Sequence, residues 1–128
     1  MTDISKPSEA ETEILQVLWD QQPCSVKIVH EALSAHKDVG YTTTLKQIQR
    51  LLDKGLVSRE PGPGKSYLYR AAVSEDETKG RLLDRFIATT FSNSVSDLVM
   101  HALGKGTASD AEIEQIRQFL KEMDQKQA

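Results

Sequence analysis

The sequence predicts a mainly α-helical fold with one small β-hairpin. Three observations support this fold class: apolar residues recur at helical spacing in six segments, capping sequences precede three of them, and a Pro-Gly-Pro-Gly loop at residues 61–64 separates two short alternating segments. We place three helices and the hairpin in a first domain, residues 1–73, and three further helices in a second domain, residues 74–128.

The first helix is predicted from a capping box that begins at Ser8 and ends at Glu11. The helix should run to about Gln21, and residues 1–7 before it are expected to be disordered. Trp19 shares the spacing of the apolar residues, so we interpret it as a core residue rather than a ligand contact. A second helix, capped by Ser25, should follow over about residues 25–36.

The third helix should begin near Tyr41 and end at Gly55, a residue type that commonly closes helices. Its apolar stripe comprises Leu45, Ile48, Leu51 and Leu52. At about 100° per residue, the opposite face carries residue types that contact DNA, namely Thr43, Lys46, Gln47, Arg50 and Lys54. Taken alone, this pattern is equally typical of an ordinary surface helix with a solvated polar face.

The hairpin is predicted from strands at Leu56–Glu60 and Ser66–Ala71 that flank the Pro/Gly loop. Lys65 at the end of the loop could reach a phosphate, although a tight turn alone also explains the loop. A helix followed by a basic hairpin is typical of the DNA-reading half of a winged helix-turn-helix. The prediction is therefore an N-terminal winged helix-turn-helix domain.

The distribution of charge favours a polyanionic partner. Residues 41–70 hold six basic and two acidic residues, a net +4, whereas the rest of the chain holds ten basic and seventeen acidic residues, a net −7. We predict that four residues contact bases or lie near them: Thr43, Lys46, Gln47 and Arg50. Four more are predicted to contact phosphates: Thr42, Lys54, Lys65 and Tyr67.

The second domain should consist of three amphipathic helices, two of them opened by capping boxes at Ser74 and Ser109. About 50 residues rarely support a core alone, and two-fold dimers are the commonest homo-oligomers. We therefore expect a dimerisation domain, with packing against the first domain of the same chain as the alternative. The expected dimer contacts are Leu82, Leu83, Phe86, Ile87, Phe91, Leu98, Ile113, Ile116, Phe119 and Leu120.

Other classes of function find little support in the sequence. No secretory signal or membrane-spanning run is visible, and a single cysteine fits a reducing compartment, so we expect a cytoplasmic protein without membrane contact. The histidines and Cys24 are scattered, so no metal site or cofactor is predicted. A hydrolase using His101 with Cys24 would need groups from different predicted domains, and we expect no enzyme.

Three segments resemble the penicillinase-repressor family of bacterial winged-helix regulators (the BlaI/MecI/CopY type). They are residues 9–19 (E-A-E-T-E-I-L-Q-V-L-W), residues 25–33 (S-V-K-I-V-H-E-A-L) and residues 41–70, especially R-L-L-D-K-G-L-V at 50–57. The resemblance implies a homodimeric repressor on a palindromic, double-stranded DNA operator, released by an inducing signal such as cell-wall or antibiotic stress. The alternative is a winged-helix module that binds an acidic protein and has lost DNA binding.

The sequence departs from the family pattern in places that bear on specificity and release. Thr44 stands where the family usually has an aliphatic residue and Lys46 where threonine is frequent, so the operator sequence does not carry over. In β-lactam-responsive members a sensor protease, which would be a further partner, cuts an Asn-Phe bond. The matching place here is His101-Ala102. The cysteine pairs of the copper-responsive branch are absent after Cys24, which disfavours a copper switch.

Overall fold

The computed structural model describes residues 6–127. The predicted mainly α fold with a small hairpin is confirmed within these residues. The elements in chain order are α1 (Glu9–Gln21), α2 (Val26–Ser34), α3 (Tyr41–Asp53), β1 (Val57–Pro61), β2 (Tyr67–Ala71), α4 (Glu75–Thr90), α5 (Val95–Gly104) and α6 (Asp110–Gln127).

The expectation of disorder for residues 1–7 falls mostly outside the described residues, because residues 1–5, like residue 128, are not described. Of the residues expected to be disordered, residues 6 and 7 are described, and both make contacts within the first unit. Pro7 is buried, and the Lys6 carbonyl accepts a hydrogen bond from the Lys54 ammonium at 3.2 Å. At the other end, α6 extends to Gln127.

The described chain divides into two compact units between Gly80 and Arg81, inside α4. The sequence places its boundary after residue 73, just before α4 begins. In the first unit the Trp19 indole N–H donates to the Val73 carbonyl at 3.1 Å, and the Lys79 ammonium lies 6.0 Å from the centre of the Trp19 ring. Trp19 packs against the core residues, so its interpretation as a core residue is confirmed.

The core of the first unit is built from the apolar stripes of α1, α2 and α3 together with the base of the hairpin. Residues three, four or seven apart on each helix point the same way, so each stripe faces the common centre. The buried apolar side chains are Ile14, Leu15, Leu18, Cys24, Val26, Val29, Leu33, Ile48, Leu51, Leu56, Val57 and Tyr69.

Local signals set the start of α1 and the end of α3 as predicted. The Ser8 hydroxyl accepts the Glu11 amide at 3.1 Å, and the Ser8 amide donates to the Glu11 carboxylate at 2.8 Å, which completes the capping box. Gly55 adopts φ +76°, its amide donates to the Leu52 carbonyl at 3.1 Å, and the next amide donates to the Leu51 carbonyl at 2.9 Å. This Schellman motif turns the chain out of α3 towards the hairpin.

The two strands pair antiparallel, with Arg59 opposite Tyr69 and Pro61 opposite Tyr67. Each strand begins one residue later than predicted, and Pro61 joins β1 because the turn closes further along the chain, where the Gly62 amide donates to the Ser66 carbonyl at 2.9 Å. Cys24 bridges the other edge of β2, exchanging backbone hydrogen bonds with Tyr69 at 3.1 and 2.8 Å. The hairpin is thereby tied to the helical core.

The second unit comprises the later part of α4 together with α5 and α6, and its described residues form no core of fully buried side chains. Ser94 accepts the Asp97 amide at 3.1 Å to begin α5, and Ser109 accepts the Glu112 amide at 3.1 Å before α6. None of the described residues in α4, α5 or α6 is buried. Of the helices in the described part of the chain, none combines the length and apolar character that crossing a membrane requires.

Candidate nucleic-acid interface

The outward face of α3 carries exposed polar and basic side chains, which we define as Thr42, Thr43, Lys46, Gln49 and Arg50. Its opposite face is buried at Thr44, Ile48 and Leu51. The buried Thr44 hydroxyl is satisfied, because it donates a hydrogen bond to the Gly40 carbonyl at 3.3 Å.

The two glutamines of α3 change places relative to the sequence expectation. Gln47 is half-buried and Gln49 is exposed. Thr44 explains the shift: it joins the buried stripe and rotates the centre of the outward face by a few tens of degrees, given about 100° per residue. The outward face therefore centres near Lys46 and Asp53, and Gln47 lies at its flank. Asp53 adds one exposed negative charge at the end of the helix.

Lys46 and Arg50 are exposed, and neither has a hydrogen-bonding or ion-pair partner within residues 6–127. Their positions four residues apart place both charges on the same side of the helix, one turn from each other. An unpaired guanidinium and an unpaired ammonium on a helix surface offer eight N–H donors in total to a ligand. This pair is the strongest basic feature of α3.

Lys54, predicted to contact a phosphate, is engaged elsewhere in the fold. Its ammonium lies 2.6 Å from a carboxylate oxygen of Glu11, a residue only 3% exposed, and also donates to the Lys6 carbonyl. Burial alone would raise the pKa of Glu11, but hydrogen bonds and charge from Lys54, with hydrogen bonds from Ser8, lower it on balance. We therefore leave Lys54 out of the interface and assign it to holding α3 on α1.

The hairpin, which forms the wing, carries three cations in different environments. Lys65 is exposed at the tip and has no partner in the described part of the chain, which leaves its ammonium available for a phosphate; that contact stays a prediction. Arg70 is paired with Glu60 at 3.1 Å. Arg59, which the sequence analysis did not select, lies with its guanidinium carbon 4.1 Å from the centre of the Tyr67 ring. The alternation of side chains along the two strands could have indicated this contact from the sequence, because it puts Arg59 and Tyr67 on the same face of the hairpin.

The predicted dimer contacts are exposed or half-buried in the single chain. Leu83, Phe86, Phe119 and Leu120 are 48, 48, 61 and 55% exposed, and the other predicted contacts are less exposed. Apolar residues that the prediction omitted are exposed as well, namely Val95, Val99, Met100 and Met123. Inside the second unit the rings of Phe86 and Phe91 make an edge contact with centroids 5.5 Å apart.

The groups considered for chemistry lie apart in the chain and in different surroundings. Cys24 is buried in the first unit, and burial raises the pKa of its thiol. His101 is exposed in the second unit, with its ring 3.5 Å from the Asp97 carboxylate. Among residues 6–127, no three His, Cys, Asp or Glu side chains form a group that could hold a metal ion.

The family model and the curated relatives agree on one family. The family described as Penicillinase repressor matches residues 7–122. Methicillin resistance regulatory protein MecI of Staphylococcus aureus (strain N315) is 28% identical over 88% of this chain and 91% of its own length. Transcriptional regulator BlaI of Mycobacterium tuberculosis (strain CDC 1551 / Oshkosh) is 29% identical over 97% of this chain and 89% of its own length. The penicillinase repressor of Bacillus licheniformis is 23% identical over 95% of this chain and 94% of its own length. The chain belongs to the penicillinase repressor family of transcriptional regulators.

Proposed function

We propose that this protein is a cytoplasmic, non-enzymatic transcriptional repressor that binds a palindromic operator in double-stranded DNA as a homodimer. The observation that carries the proposal is the pair of unpartnered cations, Lys46 and Arg50, on the outward face of α3. The relatives named above are a methicillin resistance regulatory protein, a transcriptional regulator and a penicillinase repressor, and they support the same function.

The dimensions of α3 suit the major groove of DNA. Its 13 residues give a length of about 20 Å at about 1.5 Å per residue, and the major groove, about 12 Å wide, admits one helix. Arg50 and Lys46 would reach guanine edges, Gln49 would pair with adenine, and Thr43 would meet a thymine methyl group. Gln47 remains a proposed contact from the flank of the helix.

Phosphate contacts are proposed on both sides of the outward face. The residue before α3, Gly40, has no side chain to cap the helix, so the first backbone amides of α3 are available to a phosphate beside Thr42. Lys65 would reach the backbone from the tip of the wing. These contacts fix the register of the protein on the duplex without reading sequence.

Pairing of two chains through the second unit would align two copies of α3. The exposed apolar residues of α4, α5 and α6 require cover, and a second copy of the same surface supplies it with two-fold symmetry. Two copies of α3 would then read half-sites about 34–36 Å apart, which is one turn of DNA.

The central test is a fluorescence-polarisation titration of the protein against its own promoter duplex and a scrambled duplex. Arg50→Ala should weaken binding to the promoter by about 1–3 kcal/mol and relax specificity at one base pair. Lys121→Ala, which removes an exposed charge from α6, is the matched control and should leave binding unchanged. An equal loss of affinity for both duplexes would indicate that Arg50 contacts the DNA backbone. Wild-type protein that binds neither duplex would favour the alternative, a winged-helix module that binds an acidic protein.

The wing is tested by the salt dependence of the same titration. Lys65→Ala should reduce the slope of log K against log salt by about one unit, because one phosphate contact releases about 0.9 counterions. A slope equal to that of the wild-type protein would remove Lys65 from the interface.

The releasing signal and the sensor protease stay predictions. The His101-Ala102 bond lies inside α5, so its backbone is helical in this structure. A protease would need to unwind that part of α5 before cutting there, and proteolysis proceeds through such local opening. Exposure of this bond to limited proteolysis, followed by mass spectrometry of the fragments, would test the cleavage route.

A further inference from the structure

The wing holds an arginine, Arg59, that lies over the ring of Tyr67 and whose N–H donors are unused. Arg59 in β1 faces Tyr69, and Tyr67 in β2 faces Pro61, so Arg59 and Tyr67 are diagonal neighbours on the same face of the hairpin. The guanidinium carbon lies 4.1 Å from the centre of the Tyr67 ring, well inside the roughly 6 Å limit of a cation–π contact.

A cation–π contact uses the charge of the guanidinium and no hydrogen-bond acceptor, so the five N–H donors of Arg59 can still bind a ligand. None of these donors has a hydrogen-bond acceptor within the described residues. The neighbouring Arg70 differs, because its Nε donates to Glu60 at 3.1 Å. Arg59 is therefore the arginine of the wing that is oriented by the fold and still available.

We infer that Arg59 is a phosphate-binding residue of the wing and that Tyr67 is its positioning residue. The ring of Tyr67 restricts the rotamers of the long arginine side chain before DNA arrives, so less conformational entropy is lost on binding. This inference rests on the proposed DNA binding. It also changes the role of Tyr67, which was predicted from the sequence to contact a phosphate directly.

Phosphate suits Arg59 better than a base edge for a reason of geometry. The planar fork of a guanidinium matches two oxygens of a phosphodiester, and such paired contacts are among the strongest charge-assisted hydrogen bonds. The wing lies beyond the end of α3 and is joined to it by the Schellman turn at Gly55. With α3 in the major groove, the wing would meet the sugar-phosphate backbone at the edge of that groove.

Four single variants and one double variant test this arrangement on the promoter duplex: Arg59→Ala, Arg59→Lys, Tyr67→Leu, Tyr67→Phe, and Arg59→Ala with Tyr67→Leu. Arg59→Ala should weaken binding about tenfold, since a charge-assisted hydrogen bond contributes roughly that much, and reduce the salt slope by about one unit. Arg59→Lys should retain the salt slope while binding more weakly, because the charge stays and the planar fork is lost.

The tyrosine variants separate positioning from direct contact. Tyr67→Phe keeps the ring and should bind like the wild type, whereas Tyr67→Leu should bind about two- to fivefold more weakly, the usual size of an exposed cation–π contact. In the Arg59→Ala background, Tyr67→Leu should have no further effect, because its influence acts through the arginine. Equal losses from Tyr67→Phe and Tyr67→Leu, or additive losses in the double variant, would overturn the positioning role.

Two controls distinguish failure of this inference from failure of the proposed function. Both side chains are exposed, so in every variant the urea midpoint followed by Trp19 fluorescence should fall by no more than the loss of one exposed cation–π contact allows. Wild-type binding that depends on Arg50 but not on Arg59 or Tyr67 would refute this inference alone. Wild-type protein that does not bind the promoter would refute both.

Discussion

Removal of the ion pair between Glu11 and Lys54 should destabilise the first unit, and the two ends of the pair should differ. The Glu11 carboxylate is 3% exposed and holds two partners, the Lys54 ammonium at 2.6 Å and the Ser8 amide at 2.8 Å. The Lys54 side chain is 29% exposed. A charge left behind at Glu11 would therefore be buried, whereas a charge left behind at Lys54 could turn towards water.

Lys54→Met keeps the length of the side chain and removes the charge. It leaves the Glu11 carboxylate buried with only the Ser8 amide, and breaking a buried pair in this way costs about 3–5 kcal/mol. Glu11→Gln retains an acceptor for the capping box, and the Lys54 ammonium keeps the Lys6 carbonyl and reaches solvent. Its cost should be smaller, about 1–3 kcal/mol. The double variant should be more stable than Lys54→Met alone, because it leaves no buried charge.

Urea denaturation followed by the fluorescence of Trp19 measures these differences. Trp19 is the one tryptophan in the chain, and its indole N–H is bonded to Val73 in the first unit, so the signal reports that unit. With a urea dependence of about 1–3 kcal/mol per molar, Lys54→Met should lower the midpoint by about 1 M or more. Lys37→Met is the matched control, because its pair with Glu13 is 38 and 44% exposed and should contribute under about 1 kcal/mol.

Two outcomes would refute this reasoning. Lys54→Met that is no more destabilising than Lys37→Met would show that the Glu11 carboxylate is effectively solvated without its partner. A cost of Glu11→Gln larger than that of Lys54→Met would reverse the asymmetry that the two exposures imply.

Three further outcomes are expected. The fold lowers the pKa of Glu11 below its ordinary 4.5. The contribution of its carboxylate to the stability of the first unit is therefore present above about pH 4.5 and is lost as pH falls through the lower pKa of the folded state. The urea midpoint of Glu11→Gln should vary less with pH over this range than that of the wild type. Gly55→Ala forces a side chain to φ +76° and should cost about 1–2 kcal/mol, whereas Gly80→Ala inside α4 should stabilise by up to about 1 kcal/mol. Phe119→Glu should weaken self-association in sedimentation experiments and leave Trp19 unfolding unchanged, since Phe119 is 61% exposed.

The elements of the first unit follow from short-range signals in the sequence. The capping box at Ser8 and the glycine at Gly55 act within five residues of chain, so reading them needs no knowledge of the fold. The apolar stripe of α3 was also visible, but the burial of Thr44 was not, because its hydroxyl is satisfied by a backbone carbonyl four residues earlier. That one residue decided whether Gln47 or Gln49 would face outwards.

The roles of individual cations depended on contacts between distant parts of the chain. Lys54 lies 43 residues from Glu11, and nothing near Lys54 in sequence indicates a buried carboxylate. Arg59 resembles any exposed strand residue until the register of the hairpin brings the Tyr67 ring beneath it. The charge distribution was therefore enough to locate the basic segment. Tertiary structure was needed to distinguish the cations that hold the fold together from those that are available to a ligand.

The stabilities of the two units would depend differently on protein concentration. The first unit has its own core, so its stability does not depend on the concentration of the protein. The described helices of the second unit bury no apolar side chain in the single chain, so its stability in the proposed dimer would rise with concentration. In the proposed dimer, linking two copies of α3 would raise affinity through the second, intramolecular contact, without any new contact at either half-site. A signal that separates the second units would therefore weaken operator binding severely while leaving Arg50, Lys46 and the wing intact, and this places the expected point of control away from the residues that read DNA.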